Sequence, residues 1–537
     1  MFDNALTISA GLPAVLFLVA GLVPAVLADR RPRSMRAAVV GLAGVAVAAA
    51  VLSAALLAAG GPVDRKFWTA PGPVPVDLGV FVDALTVVML LLVSFVGLVI
   101  ARFAARALDG EPGQGRFFVW LSLTLGAVLM LVVSRNLVML TAAWMLTSYG
   151  LHHLLQHYPD RPWAVWAARK KFLISRLGDA FLIAAVGLTI WCFGSSEYVT
   201  IFARADELRR SGGPVDPCLA AAGILFVLGA MTKSAQFPFH SWLPDTMEAP
   251  TPVSALMHAG IINAGGFLVI RLSPLVTLSH VALDLLAIVG AFTALFGGLV
   301  MLTQTSIKRS LAFSTIAQMG FMMLQCGLGA FTAALLHIVA HSLYKAHAFL
   351  SAGSVLDAAA TMKVKPPASV GIARPLATLP IAAGIAGGAT LGSLAAFGID
   401  PISKPGGIVL AAVMSIALTT LVWQALLSGS RWVSLAGMAA AVGVGMAYAA
   451  AYIGFDKLLA ASAVAHGAGP ASMLDTVVAA LVVVGFLMVF AIQVAGISLA
   501  RLPLVRSLYV HAANGLYCDI PARRLTARVW GLTSPVP

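Results

Sequence analysis

Charge is what this chain has least of. Asp, Glu, Lys and Arg make up 10% of its 537 residues while 60% are hydrophobic, against roughly a quarter and a half in an ordinary soluble domain. A water-facing surface of the usual kind is out of reach, so soluble enzymes and nucleic-acid binders drop out. Cysteine is scarce too: Cys192, Cys218, Cys326 and Cys518 are widely scattered with no Cys-x-x-Cys pair, and neither a disulfide framework nor a thiolate metal site is expected. No Walker loop, Gly-x-Gly-x-x-Gly fingerprint or Gly-x-Ser-x-Gly elbow occurs, which leaves nucleotide hydrolysis and hydride transfer without residues to carry them. The first apolar run has no basic segment ahead of it and is too long for a signal-peptide core, so it reads as a permanent span.

What is present is a succession of apolar runs. A helix needs about 20 mostly apolar residues to cross the hydrocarbon core. Spans are expected to begin near residues 5, 37, 80, 116, 136, 171, 218, 252, 280, 308, 331, 371, 407, 432 and 474. The fold class is an all-α polytopic membrane protein with about 13–15 transmembrane helices. With the N-terminus outside, the cytoplasmic connections carry Arg30, Arg31, Arg33 and Arg36, then Arg102, Arg106 and Arg116, then Arg161, Arg169, Lys170 and Lys171. Later inside segments hold Lys308, Arg309, Lys363, Lys365, Arg374, Arg431, Arg501, Arg506, Arg523, Arg524 and Arg528. That places about 22 cations inside and about 9 outside, as the positive-inside rule requires, and accounts for the net charge of +13. The C-terminus is expected to be cytoplasmic.

Two places interrupt the helical pattern. Lys233 is followed by Pro238, Pro244, Pro250 and Pro252, and farther on come Asp400, Pro401, Lys404, Pro405 and Gly406. Such breaks leave backbone groups unpaired and are tolerated at membrane depth only inside protein or beside a water-filled cavity. Paired breaks mark inverted repeats. The expected organisation is N-terminal helices over 1–115, repeats over 116–275 and 276–430, further helices over 431–500 and an amphipathic cytoplasmic tail over 501–537.

A charge near the bilayer centre costs about 2.5–3.5 kcal/mol even on a lenient scale, so each buried ionisable residue asks for a reason. Lys233, deep in its span beside the proline break, is the leading proton-exchange candidate, with snorkelling as the bland alternative. His337, His341 and Lys345 recur every four residues on one helical stripe, the spacing of a proton relay. A zincin motif is excluded because Ile338, Val339 and Ala340 supply no glutamate. His258 is placed to link these two groups. Arg176 and Asp179, three apart, read either as a static ion pair or as a switch in which Asp179 alternates between Arg176 and Lys233. Asp83, Asp245, Glu248 and Asp357 are expected near interfaces or helix ends. His152, His153 and His157 read as a solvated cytoplasmic face, or a partner or proton-entry site. Arg523, Arg524 and Arg528 among Leu525, Val529 and Trp530 suit an interfacial or docking helix.

The stretch from Met231, Met-Thr-Lys-Ser-Ala-Gln-Phe-Pro-Phe-His-Ser-Trp-Leu-Pro-Asp-Thr-Met-Glu-Ala-Pro-Thr-Pro-Val-Ser-Ala-Leu-Met-His-Ala, resembles the signature of proton-translocating antiporter-like subunits of complex I and multisubunit sodium/proton antiporters. The likeness extends to Thr303–Arg309, Ser314-Thr315, Gln318-Met319-Gly320 and the His337, His341, Lys345 stripe. It implies that Lys233 is the central lysine of the first half-channel, His258 its bridge, His337, His341 and Lys345 the connecting relay, and Lys404 the terminal lysine of the second half. One departure stands out: the family's fifth span usually carries Trp-Glu, and this chain has Trp144-Met145, leaving Asp179 as the nearest substitute carboxylate.

Tyr149–His153, the tail segment Tyr509–Tyr517 and a stretch after the last span too short for a long lateral helix are similar to the membrane subunit of DAB-type inorganic carbon accumulators. That resemblance implies conduction of protons or Na+ in a bacterial inner membrane to energise a cytoplasmic zinc protein similar to a β-carbonic anhydrase, which converts CO2 to bicarbonate. Zinc then belongs to the partner, with no cofactor, metal or enzymatic step in this chain. The rivals are the large subunit of a cation/proton antiporter or complex-I-like pump, and a non-conducting scaffold for an enzyme.

Overall fold

A computed structural model describes residues 2–70, 76–354, 373–465, 473–495 and 502–531. The chain opens with α1 (Phe2–Gly21), the short α2 (Ala25–Arg30) and α3 (Pro32–Gly60), then a hairpin of β1 (Val63–Ala70) and β2 (Val76–Val82). There follow α4 (Ala84–Ala107), α5 (Gln114–Val133), α6 (Leu137–Leu155), α7 (Pro162–Phe193), α8 (Tyr198–Ser211) and α9 (Pro217–Lys233). Beyond two 3-10 turns, Phe239–Trp242 and Pro244–Glu248, come α10 (Thr251–Ala259), α11 (Ala264–Arg271), the one-turn α12 (Ser273–Val276), α13 (His280–Met301), α14 (Ile307–Gly327) and α15 (Phe331–Leu350). The rest is α16 (Ala373–Ala396), α17 (Gly407–Leu427), α18 (Arg431–Ala460), α19 (Met473–Ala495), α20 (Pro503–Ala513) and α21 (Ile520–Val529).

Among the described residues, eleven helical stretches are long and apolar enough to cross a membrane, with α10 and α11 counted as one. The remaining four expected spans, α6, α9, α14 and α15, are formed but fall outside that criterion. α9 is only 17 residues long, and the other three carry polar side chains into the interior. Local signals fix the ends. Asp83, Asn136 and Asp216 cap α4, α6 and α9 by accepting from the backbone N–H of Thr86, Met139 and Cys218 at 2.9, 2.8 and 2.8 Å. Pro162 and Pro217 occupy the first turns of α7 and α9, where the missing N–H costs nothing.

The core centres on α10 and α11, whose span is 94% buried, whereas the Thr476–Val494 stretch is 11% buried and lies at the periphery. Small residues bring helices close, the usual device where lipid removes the hydrophobic drive for association. A Cβ on Gly320 of α14 would lie 2.4 Å from the Ala294 nitrogen of α13. Arg271 at the end of α11 donates to both carboxylate oxygens of Asp83 at 2.7 and 2.9 Å, and to Thr86 Oγ1 at 2.6 Å, with both charged side chains 1% exposed. Asp83 therefore stands at a helix end, as expected, and is also a buried clamp.

Four expectations are corrected. The hairpin is a two-stranded exception to an all-helical chain, pinned by Arg135, which reaches Asp64, Asp77 and Glu197 at 2.6, 2.9 and 2.8 Å. Asp400–Gly406 connects two complete, mutually packed helices, α16 and α17, instead of interrupting one span. α7 begins at Pro162, not near 171, so Lys170 and Lys171 lie within the helix and are buried. Cys192 and Cys218, far apart in sequence, meet beside Asp216. Asp357, Lys363, Lys365 and Arg501 lie outside the described residues.

Candidate functional site: a buried file of lysine and histidine

The break after α9 creates the site's first element. Lys233 is the last residue of α9 and 8% exposed, at the helix end where the macrodipole favours a cation. Its Nζ donates to the Trp144 carbonyl at 2.8 Å and stands 3.9 Å from the Trp144 ring centroid, a cation–π arrangement. A Cβ on Gly178 would fall 2.0 Å from Thr232 Oγ1, so this glycine lets α7 and α9 meet beside Asp179 and Lys233. Asp179 is buried and 2.5 Å from Arg176 Nη2. That contact is an ion pair without hydrogen-bond alignment, since among the described residues neither carboxylate oxygen has a hydrogen-bond partner. Lys171, Arg176 and Lys233 all act electrostatically on Asp179, so the isolated Arg176–Asp179 pair expected from the i, i+3 spacing is part of a four-charge cluster. Lys171 itself donates to the Ser148 carbonyl at 2.6 Å.

His258 on α10 is fully buried and stacked on Phe349 at 4.2 Å between centroids. Its Nδ1 lies 3.0 Å from Thr315 Oγ1, and that hydroxyl donates to the Leu311 carbonyl at 2.9 Å. The imidazole is thus the donor to Thr315, which leaves Nε2 as a lone-pair acceptor. On α15 the expected stripe points inward. His337 Nδ1 donates to Gln325 Oε1 at 2.9 Å, the His337 and His341 rings are 6.0 Å apart, and Lys345 Nζ donates to Ser314 Oγ at 2.8 Å and the Leu311 carbonyl at 3.3 Å. Among the described residues, neither nitrogen of buried His341 has a protein hydrogen-bond partner. Leu311 is shared: its carbonyl accepts from Thr315, which holds His258, and from Lys345.

Lys404 stands apart. It lies in the α16–α17 connection, about one-third exposed, with its Nζ 3.0 Å from Asp456 Oδ2. Asp456 Oδ1 accepts from Thr332 Oγ1 at 3.1 Å, so Lys404 touches the start of α15 at second hand.

A family model described as "NADH:quinone oxidoreductase/Mrp antiporter, TM" matches residues 134–397, and one described as "NADH-Ubiquinone oxidoreductase (complex I), chain 5 N-terminus" matches 68–118. A relative from Halothiobacillus neapolitanus named "Probable inorganic carbon transporter subunit DabB2" is 42% identical over 86% of this chain and 83% of its own length. The chain belongs to the antiporter-like membrane subunits, in the DabB group. "NAD(P)H-quinone oxidoreductase chain 5" of Synechocystis is 39% identical over 54% of this chain and 43% of the relative. The solved Mrp complex from Dietzia sp. DQ12-45-1b shares the fold, with a TM-score of 0.67 at 24% identity over 98% of this chain and 60% of that one. As an antiporter-like subunit of the DabB group, the protein is the membrane component of an ion-translocating system.

Within this antiporter-like frame, three features escaped sequence reasoning. Trp144 supplies Lys233 with a carbonyl and a ring at the position next to the missing glutamate. Lys170 and Lys171 looked like cytoplasmic surface charge, although Pro162 as a first-turn residue was the signal that the helix starts two turns earlier. The tail folds back beneath the break. Lys170, 0% exposed, donates to the Ser241 carbonyl at 2.9 Å, to Asp245 at 3.0 Å and to Asp519 of the tail, which also pairs with Arg523. Burial alone would raise the Asp519 carboxyl, but the charges and hydrogen bonds of Lys170 and Arg523 hold it below the ordinary value. Trp530 packs edge-on against Phe172, and a cavity of 390 Å³ lies between tail and break, lined in part by His240, Asp245, Arg309 and Tyr517.

The histidine cluster is also not a solvated face. His153 stacks on Trp120 at 3.8 Å, and His157 is buried edge-on against Phe117. Burial, with Arg116 adding to it, pushes the His157 imidazole down from its ordinary value.

Proposed function

We propose that this subunit conducts protons, or Na+, down their gradient through Lys233, His258, His341, His337 and Lys345, with Asp179 and Arg176 biasing the charge of Lys233 and Lys404 at the outlying end. One observation carries the reading: His258 of α10 and Lys345 of α15 are tied through Thr315, Leu311 and Ser314, Lys233 of α9 is buried in the same bundle, and among the described residues His258 Nε2 and both His341 ring nitrogens have no protein partner. Groups without a protein partner in a polar interior are where a chain of bound water completes a relay. Moving one charge through 100 mV supplies about 2.3 kcal/mol. That energy is delivered to a cytoplasmic zinc-binding, carbonic-anhydrase-like partner that converts CO2 to bicarbonate, and this chain itself carries no cofactor and no enzymatic step. The protein sits in a bacterial inner membrane with the hairpin side outside and the tail side, rich in Arg and Lys, in the cytoplasm. The names of the DabB relatives support the carbon-transport reading.

The Dietzia neighbour favours a second reading, a cation/proton antiporter subunit assembled with other membrane subunits. Purification followed by mass spectrometry separates the two: one large soluble zinc protein fits the first, several small membrane companions the second. For conduction itself, Lys233→Ala is expected to abolish carbon accumulation in cells while leaving the subunit assembled with its partner. Full accumulation by a well-expressed variant would instead indicate a passive anchor.

A further inference from the structure

Cys192 lies in the last turn of α7, and Cys218 is the second residue of α9. Their sulfur atoms and the Asp216 carboxylate lie within 4.8 Å of one another, and both thiols are partly exposed at the hairpin end of the bundle. The two helices they terminate are the ones that hold the charge cluster: α7 carries Lys171, Arg176 and Asp179, and α9 ends on Lys233. α7 and α9 lie against each other from this thiol pair to the close approach of Gly178 on Thr232. Asp216 is already engaged in capping α9 through the Cys218 N–H.

We propose that Cys192 and Cys218 form a reversible disulfide that clamps α7 to α9 and slows ion transfer through the Lys233 cluster. The movement required is to bring two sulfurs already within 4.8 Å to bonding distance. In the reaction, the thiolate of one cysteine attacks a low-molecular-weight disulfide and expels one thiol. The second cysteine's thiolate then attacks the resulting mixed disulfide and expels the other. Two electrons and the two thiol protons leave with the oxidant, which is released as two thiols. The site's position at the hairpin end, outside in the orientation proposed above, gives it access to an oxidising compartment. The effect on transport rests on the conduction reading; the covalent step does not.

The test uses the full subunit in its native complex, treated with oxidised glutathione or dithiothreitol. Peptide mapping of the oxidised sample is expected to show the segments containing Cys192 and Cys218 cross-linked, with loss of two hydrogens, and to show both alkylated after reduction. Ion-driven carbon uptake is expected to fall several-fold on oxidation, to recover with dithiothreitol, and to be insensitive in Cys192→Ser and Cys218→Ser. The proposal is overturned if both thiols stay alkylatable after oxidation, if zinc copurifies in a one-to-one ratio and is lost with either serine variant, or if the cross-link forms without slowing uptake. The peptide map needs no variant and no activity. A conduction reading that fails at Lys233→Ala is therefore distinguishable from a thiol pair that fails to close.

Discussion

Lys233, at the end of α9, and Lys404, in the α16–α17 connection, are each followed by prolines or flanked by them, and their surroundings differ in kind. Lys233 is 8% exposed, held by a backbone carbonyl and an aromatic face, and its nearest carboxylate is engaged by other cations. Lys404 is about one-third exposed and has a carboxylate of its own, Asp456, at 3.0 Å. The amine of Lys233 is thus buried among neutral partners, a carbonyl and a ring, and shares the Asp179 carboxylate with Lys171 and Arg176. The amine of Lys404 is half-solvated and paired one-to-one. The same residue type is thus buried in the core in one place and a half-exposed tie in the other, and the surrounding packing makes the difference.

The largest expected contrast is between their alanine variants. Lys233→Ala should lower ion-driven uptake by about 100-fold or more, the scale of losing a positioned proton-transfer group. His341→Ala comes next, at about tenfold or more, because among the described residues neither ring nitrogen has a protein partner whose loss would explain a structural defect. Thr315→Val removes the acceptor of His258 and should cost about fivefold, the equivalent of one hydrogen bond of about 1 kcal/mol. All three are read by uptake assays on membranes with equal amounts of assembled complex. An effect of Thr315→Val as large as that of Lys233→Ala would move the critical step from the amine to the imidazole.

The tail supplies a pH-dependent test. Asp519 has its carboxyl lowered below its ordinary value of 3.8 by Lys170 and Arg523. A carboxylate with a lowered value stabilises the docked state at neutral pH, and that contribution disappears only as pH falls through the lowered value. Tail docking, followed by protease sensitivity or hydrogen exchange of 503–529, should therefore persist at pH 5 and weaken below the ordinary carboxylate range. Asp519→Asn should release the tail at neutral pH, leaving buried Lys170 with Asp245 and the Ser241 carbonyl.

Most of the helical fold was legible, because about 20 apolar residues are needed to cross lipid and every expected span has a helix. The Lys233 break and the inward stripe of α15 were legible for equally simple reasons: prolines end helices, and a four-residue repeat holds one face. The β-hairpin was not, since its apolar residues merge in hydropathy with the start of α4. The burial of Lys170 and Lys171 and the pairing of Asp83 depend on partners far along the chain, Asp519, Ser148 and Arg271, and no local pattern announces them. The meeting of Cys192 with Cys218 depends likewise on how α7 returns against α9.

The smallest expected effect is the most discriminating for the contrast between the two lysines. Lys404 Nζ and Asp456 are both about one-third exposed, and pairs in that setting are screened and worth about 0–1 kcal/mol. Lys404→Ala should therefore change uptake by no more than about fivefold, with a coupling to Asp456→Ala of the same small size in a double-mutant cycle of stability. Asp456 also accepts from Thr332 at the head of α15, so Asp456→Ala should exceed Lys404→Ala by the loss of that hydrogen bond. Were Lys404→Ala instead to abolish uptake at full assembly, the tie would have to open during turnover and let the amine reach α15. The two lysines would then be working equivalents despite their different resting surroundings.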